Sequence, residues 1–248
     1  MDIKQKIISA GRRNRPATNP ASSLFRKQMQ PQYITIHNTG NRSATATASN
    51  HAAYLMGNTA ANAPVSWHYT VDDNEIWQHL PLNEAGFHAG DNLGPGNTNS
   101  IGIEICENQL PGNMAKYLEA EELAAKLCAK LISEVKSLKP FPDCMKQHFN
   151  FSGKNCPSVI RGRANGWNDF LGKVEKYIKT DIPQGPLPTI QRRIGVEVDG
   201  RKTNEEAYLI DNATYVKASF IGQLVNVSVT GHGDHIKIRT PFGTRDRM

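Results

Sequence analysis

The sequence predicts an α/β protein, with a central mixed sheet flanked by helices and a small C-terminal α+β domain after it. Three observations lead there. Short apolar runs of strand length alternate with longer stretches whose apolar residues recur at helical spacing. Such a mixture is best buried as a sheet covered by helices. Residues 181–191 (DIPQGPLPTIQ), with three prolines and a glycine, then read as a semi-rigid linker before a series of short β-type runs. The expected division is 1–180, 181–191 and 192–248.

Taken in order, Tyr33–His37 reads as a strand that ends in the polar turn Asn38-Thr39-Gly40. Ala44–Met56 is Ala-rich and helical, stopped by Gly57. Ser66–Val71 and Glu75–Leu80 read as two strands joined by Asp72-Asp73-Asn74. Residues 90–100 (GDNLGPGNTNS) form a loop. Its glycines suggest a phosphate cradle, but no strand leads in and no helix is expected after it, so that reading is rejected. Ile101–Glu107 is the clearest buried strand. Leu118–Leu138 is the longest helix, with Leu123, Leu127, Leu131, Val135 and Leu138 in register, and Trp167–Ile178 is a second amphipathic helix. Beyond the linker, strands are expected at Gly195–Val198, Ala207–Ile210, Thr214–Val216, Val225–Val229 and Ile236–Ile238, with one or two helical turns at Ser219–Leu224.

The 248 residues suffice for one good core plus an appendage. A hydrophobic content of 38% and a mean hydropathy of −0.51 describe a soluble globular chain, expected to be a monomer. No apolar run approaches the roughly 18 residues that cross a bilayer, and the charged start Met1–Lys6 is no signal-peptide core. If the protein works outside the cytoplasm, something other than a signal peptide is expected to release it. The net charge of +6 is uneven: residues 1–27 hold seven basic groups against one acid. Such an arm suits a polyanion, or it is simply a solvated lead-in. No aromatic residue interleaves its arginines, which weakens a nucleic-acid role.

Of the four cysteines, Cys106 and Cys128 lie in apolar patterns and read as buried thiols. Cys144, in a Pro-flanked loop, keeps a disulfide to Cys156 open, although a reducing site of synthesis argues against it. The run HFNFSGKNCP gives Cys156 a different reading. His148 and Cys156, eight positions apart across a Gly-containing loop, can close on one metal ion, and His37 at the end of its strand is the best third ligand. Three protein ligands leave one tetrahedral position for water, the arrangement of a catalytic zinc and hence of a hydrolase. In the strand Ile101–Cys106 the isoleucines share one face, while Gly102, Glu104 and Cys106 share the other. A carboxylate in such apolar surroundings needs a partner or a task. Desolvation would raise its pKa into the range of a general base; a salt bridge to Lys or Arg is the alternative. Lys154, two residues before Cys156, would bring an ammonium close to the metal and to a developing oxyanion. His68 and His88 lie among aromatic and small residues and are weaker candidates; His51 and His79 read as surface or helix residues. His232 and His235 are better explained by a turn between two strands than by a metal.

The runs YITIHNTGN (33–41), SWHYTVDDNEIWQHLPLNEAGFHAGD (66–91), GPGNTNSIGIEICEN (94–108) and HFNFSGKNCP (148–157) closely resemble the type-2 N-acetylmuramoyl-L-alanine amidases. These include phage endolysins and prophage autolysins of Gram-positive bacteria and are related to animal peptidoglycan recognition proteins. The resemblance spans roughly residues 1–178. It implies the amidase fold and a zinc ion held by His37, His148 and Cys156. It also implies that Glu104 is the catalytic carboxylate, that Lys154 assists, and that bacterial peptidoglycan is the partner, cut between N-acetylmuramic acid and L-alanine. Members with an assisting Tyr place it just before the histidine matching His68. Here that position is Trp67, which makes Glu104 the more necessary. Trp67, His68 and His88 are expected as walls of the substrate groove. The stretch from Val196 to Ile238 is similar, more loosely, to the stalk domain that resembles the N-terminal domain of copper amine oxidases. It implies no copper here, and a wall-binding role is expected of it.

Overall fold

A computed structural model describes residues 1–24, 26 and 28–180 and, beyond them, five strands between 192 and 239. The chain divides into two units, Met1–Ile182 and Pro183–Met248. The first is built on a six-stranded mixed sheet of order β1-β4-β3-β5-β2-β6. Its strands are β1 (Lys4–Gln5), β2 (Tyr33–Asn38), β3 (Tyr69–Val71), β4 (Ile76–Gln78), β5 (Ser100–Ile105) and β6 (Met145–Gln147). Only the β3–β4 pair is antiparallel. The carboxyl ends of β2, β3, β5 and β6 therefore leave the sheet on one side, the usual place for a site in such folds.

Alternation along the strands decides the two faces. Ile34 and Ile36 of β2 join Ile101, Ile103 and Ile105 of β5 in the main core. Helices α4 (Met114–Glu134) and α7 (Gly166–Thr180) supply Tyr117, Leu127, Leu131, Phe170 and Val174 to the same cluster. The other face carries Thr35, His37, Thr70, Gly102 and Glu104. It is only partly covered, through a second cluster of Ile8, Leu55, Ala60, Trp67 and Leu80, to which α1 (Ala48–Met56) and α2 (Asn58–Ala61) contribute. Thr47 caps α1 by accepting from Asn50 N–H, and Asn113 caps α4 through Lys116 N–H. Short helices α3 (Pro95–Thr98), α5 (Phe149–Ser152) and α6 (Ser158–Arg161) lie in the loops at the site end.

Several expectations are corrected. The basic N-terminal segment is no solvated lead-in: β1 pairs in parallel with β4, Ile8 is fully buried, and Arg15 forks onto Glu84. Helix α4 starts four residues before Leu118, where Asn113 offers the cap, and ends four before Leu138. The loop at 90–100 does contain a helical turn, α3, which feeds straight into β5. Strand β6 has too few residues to show a period and is absent from the sequence reading. All four cysteines are free and buried, so no Cys144–Cys156 bond forms.

The second unit contains a five-stranded sheet of order β10-β11-β7-β8-β9. Its strands are β7 (Arg192–Val198), β8 (Arg201–Ile210), β9 (Ala213–Val216), β10 (Ser228–His232) and β11 (His235–Arg239). His232 and His235 face each other in the β10–β11 register, at the ends of two paired strands. The helical turns expected at Ser219–Leu224 lie outside the described residues.

Candidate metal centre

Parallel pairing assembles the site. His37, next to last in β2, stands opposite Glu104 of β5, and Ile36 stands opposite Gln147 of β6. His148 follows Gln147 directly, and its N–H bonds the Ile36 carbonyl at 3.2 Å. The two imidazoles are thus fixed by adjacent strand ends, 111 positions apart in sequence. Cys156 returns over α5, whose left-handed cap at Gly153 (φ 75°) reverses the chain. The Phe149 N–H bonds the Cys156 carbonyl at 3.0 Å and closes this loop. Asn38 ties the loop to the sheet: its Oδ1 accepts from Val159 N–H at 2.9 Å, and its Nδ2 donates to the Tyr117 hydroxyl at 2.8 Å.

His37 Nδ1 lies 3.0 Å from His148 Nδ1 and 3.8 Å from Cys156 Sγ. One donor atom from each residue falls within 4.8 Å of the others. A tetrahedral zinc site spaces two nitrogens by about 3.3 Å and a nitrogen and a sulfur by about 3.6 Å, so this donor set fits. All three groups are at most 5% exposed. Burial, then the neighbouring His88 and His148, push His37 well below the usual imidazole range. Burial also lowers His148 and raises the Cys156 thiol to about 12. Two neutral rings directing nitrogens at one point beside a sulfur suit a cation.

Glu104 Oε1 lies 3.9 Å from His37 Nδ1. Its Oε2 is buried without a hydrogen-bond partner among the described residues. Burial raises this carboxyl to about 8, and the positive field of Lys154 works against the rise. The salt-bridge alternative for Glu104 is not realised by any described Lys or Arg. A cavity of about 500 Å³ opens beside Glu104, lined by Thr39, Asn41, His51, Tyr54 and Trp67. Another of about 420 Å³ is lined by Phe87, His88, Asn92, His148, Ser152 and Lys154.

The remaining expected groups divide. Trp67 lines the Glu104 cavity, its indole N–H held by Thr70 Oγ1 at 2.6 Å. His68 does not form a groove wall. It is wholly buried, with Nε2 donating to the Glu84 carbonyl at 2.9 Å and Nδ1 accepting from Gly102 N–H at 3.0 Å. His88 is 8% exposed, and both its ring nitrogens are engaged by protein. His79 is likewise a core group, bonded to Thr70 Oγ1 at 2.9 Å. His51, which the sequence reads as a surface or helix residue, does lie in α1, and it also lines the Glu104 cavity. Its signal was faint, since a lone helical histidine is usually structural.

The profile of the family described as N-acetylmuramoyl-L-alanine amidase matches residues 27–159. The chain is 40% identical over 205 residues to the N-acetylmuramoyl-L-alanine amidase XlyA of Bacillus subtilis (strain 168), covering 80% of this chain and 60% of that protein. It is 39% identical over 192 residues to CwlH of the same organism, covering 75% and 68%. The chain thus spans about 60% of the length of XlyA. Among solved structures, the catalytic domain of XlyA superposes with a TM-score of 0.59 at 39% identity, covering 70% of this chain and 99% of that domain. PlyL superposes with a TM-score of 0.58 at 32% identity, covering 70% and 97%. With the matched profile spanning more than half of the sequence and containing the strand ends, His37, Glu104, His148 and Cys156 alike, the chain belongs to the N-acetylmuramoyl-L-alanine amidase family.

Proposed function

We propose that the protein is a zinc-dependent hydrolase of peptidoglycan that cleaves the amide between the lactyl group of N-acetylmuramic acid and L-alanine. The convergence of His37 Nδ1, His148 Nδ1 and Cys156 Sγ beside an unpartnered, buried Glu104 carries this reading. Zinc held by these three groups supplies a Lewis acid for the scissile carbonyl and acidity for a water molecule. A two-nitrogen, one-thiolate set suits that metal better than hard, oxygen-seeking cations.

Glu104 takes the proton of the attacking water and returns it to the leaving amine. Its burial places it among the carboxyls basic enough for that task. Lys154, at the edge of the neighbouring cavity, offers a positive charge to the oxyanion that forms at the carbonyl carbon. Trp67 gives the cavity beside Glu104 an apolar wall and leaves proton transfer to the carboxylate. The C-terminal unit is assigned to wall binding. Its removal at residue 190 is expected to weaken retention on intact sacculi while sparing turnover of soluble muropeptides.

Purified peptidoglycan treated with the enzyme should release N-terminal alanine and free muramoyl lactyl groups. New reducing sugar ends instead would reject amidase cleavage. The protein should contain one zinc per chain, lost together with activity in Cys156→Ser. A metal-free preparation that digests murein at the full rate would reject the zinc.

A further inference from the structure

We propose that His88 is a positioning residue for the metal centre: it fixes the proton of His37 on Nε2 and so leaves Nδ1 free to ligate. The inference rests on the metal site proposed above and assigns to His88 a task other than lining the groove. Its basis is a chain of three groups with one consistent proton arrangement. His88 Nε2 lies 3.2 Å from the Ser100 carbonyl, which only accepts, so Nε2 carries a hydrogen. In the neutral ring Nδ1 is then bare. It lies 3.1 Å from His37 Nε2, which must be the donor of that bond. His37 Nδ1 is left with its lone pair directed toward His148 Nδ1 and Cys156 Sγ. Ligating histidines commonly have such an outer partner, which sets tautomer and ring orientation.

The surroundings of His88 are built to hold its ring in place. The rings of His37 and His88 meet edge to face at 88°, with centroids 5.2 Å apart. Gly102 of β5 provides the space: a Cβ there would stand 2.8 Å from His88 ring atoms, so any other residue would push the imidazole off His37. Asn97 holds the backbone, its Oδ1 accepting from His88 N–H at 2.9 Å and Ala89 N–H at 2.8 Å. Asp91 in turn accepts from Gly96 N–H at 2.7 Å and Asn97 N–H at 3.1 Å. The Gly- and Asn-rich segment 90–100 is thus the scaffold that holds His88 against His37.

Two nearly isosteric substitutions separate the hydrogen bond from simple packing. His88→Leu removes the acceptor, whereas the Oδ1 of His88→Asn falls close to the place of Nδ1. Zinc affinity of the full chain, measured by competition with a chromogenic chelator, should fall about 10- to 100-fold in His88→Leu. His88→Asn should recover most of that loss. Cobalt(II) added to the same proteins should report a distorted ligand field in the Leu variant alone. Equal affinities for Leu and Asn variants, or a Leu variant within about two-fold of the parent, would overturn the inference while the parent's own zinc binding leaves the metal site standing. A parent chain that binds no zinc would instead defeat the metal-site reading, and this inference with it. Should neither variant fold, ¹⁵N imidazole shifts of the parent protein decide: His37 and His88 should both carry their protons on Nε2. A proton on His37 Nδ1 before metal is added would overturn the assignment.

Discussion

Two glutamates in the first unit have opposite surroundings. Glu121, on α4, is completely buried and fully engaged. Arg163 forks onto it at 2.6 and 2.8 Å, and Lys173 adds a contact at 3.4 Å. Glu104, on β5, is 15% exposed, and one of its oxygens is buried with no partner. Neither pairing can be read from sequence neighbours: no Lys or Arg lies between Arg42 and Lys116, and the partners of Glu121 come from 42 and 52 residues away. Burying an unpaired carboxylate is costly, and such groups cluster at functional sites. The contrast separates a carboxylate that holds α4, α7 and the turn between α6 and α7 together from the one to which the proposed reaction assigns proton transfer.

The largest effect that tests this contrast is on turnover. Glu104→Gln should lower release of N-terminal alanine by about 10²- to 10⁴-fold, while leaving the melting temperature unchanged or slightly higher. A variant with near-parental activity would remove Glu104 from the chemistry. Glu121→Gln should show the reverse, since it strands Arg163 and Lys173: about 2–4 kcal/mol less stable in denaturant unfolding, with activity per folded molecule within about two-fold. Comparable losses of activity in both variants would erase the distinction.

The same comparison extends to imidazoles outside the metal centre. Burial lowers His68 to about 4 and His79 to about 3. A depressed folded-state pKa means that the unfolded chain takes up protons first. Their contribution is therefore complete above the unfolded value near 6.5 and is lost as pH falls toward 4 and 3. Between pH 7 and pH 5 each should cost about 2 kcal/mol, read as a falling urea midpoint that flattens in His68→Gln. A midpoint constant across that range would contradict their neutral burial. The smallest effect belongs to Asn113→Ala, which removes the cap of the helix that carries Glu121. It should cost about 1 kcal/mol and leave alanine release untouched, as measured in the same two assays.

Much of the fold and site was legible because its signals are local. Period-two alternation in Ile101–Cys106 places Glu104 on the face opposite the isoleucines, and the structure keeps that division. His37 at a strand end and the Gly-containing loop from His148 to Cys156 announce ligands that converge. What escaped was short or relational. Strands β1 and β6 have two and three residues, too few for any period, and form only because longer neighbours offer them hydrogen bonds. His68 and His88 look alike in sequence, each among aromatic and small residues. Gly102 touches both, donating its N–H to His68 and leaving space for the ring of His88.

The sequence by itself determined which chemical groups are present, which strand faces are apolar, and that a histidine, a carboxylate and a His/Cys loop stand at element ends. Tertiary structure alone decided that β2 pairs in parallel with both β5 and β6, which aligns His37 with Glu104 and delivers His148 beside it. It also decided that Glu121 meets Arg163 while Glu104 forms no ion pair with a Lys or Arg among the described residues. Periodicity and capping act over a few residues, whereas strand register, desolvation and the proton position on a ring depend on atoms brought together from more than a hundred residues apart.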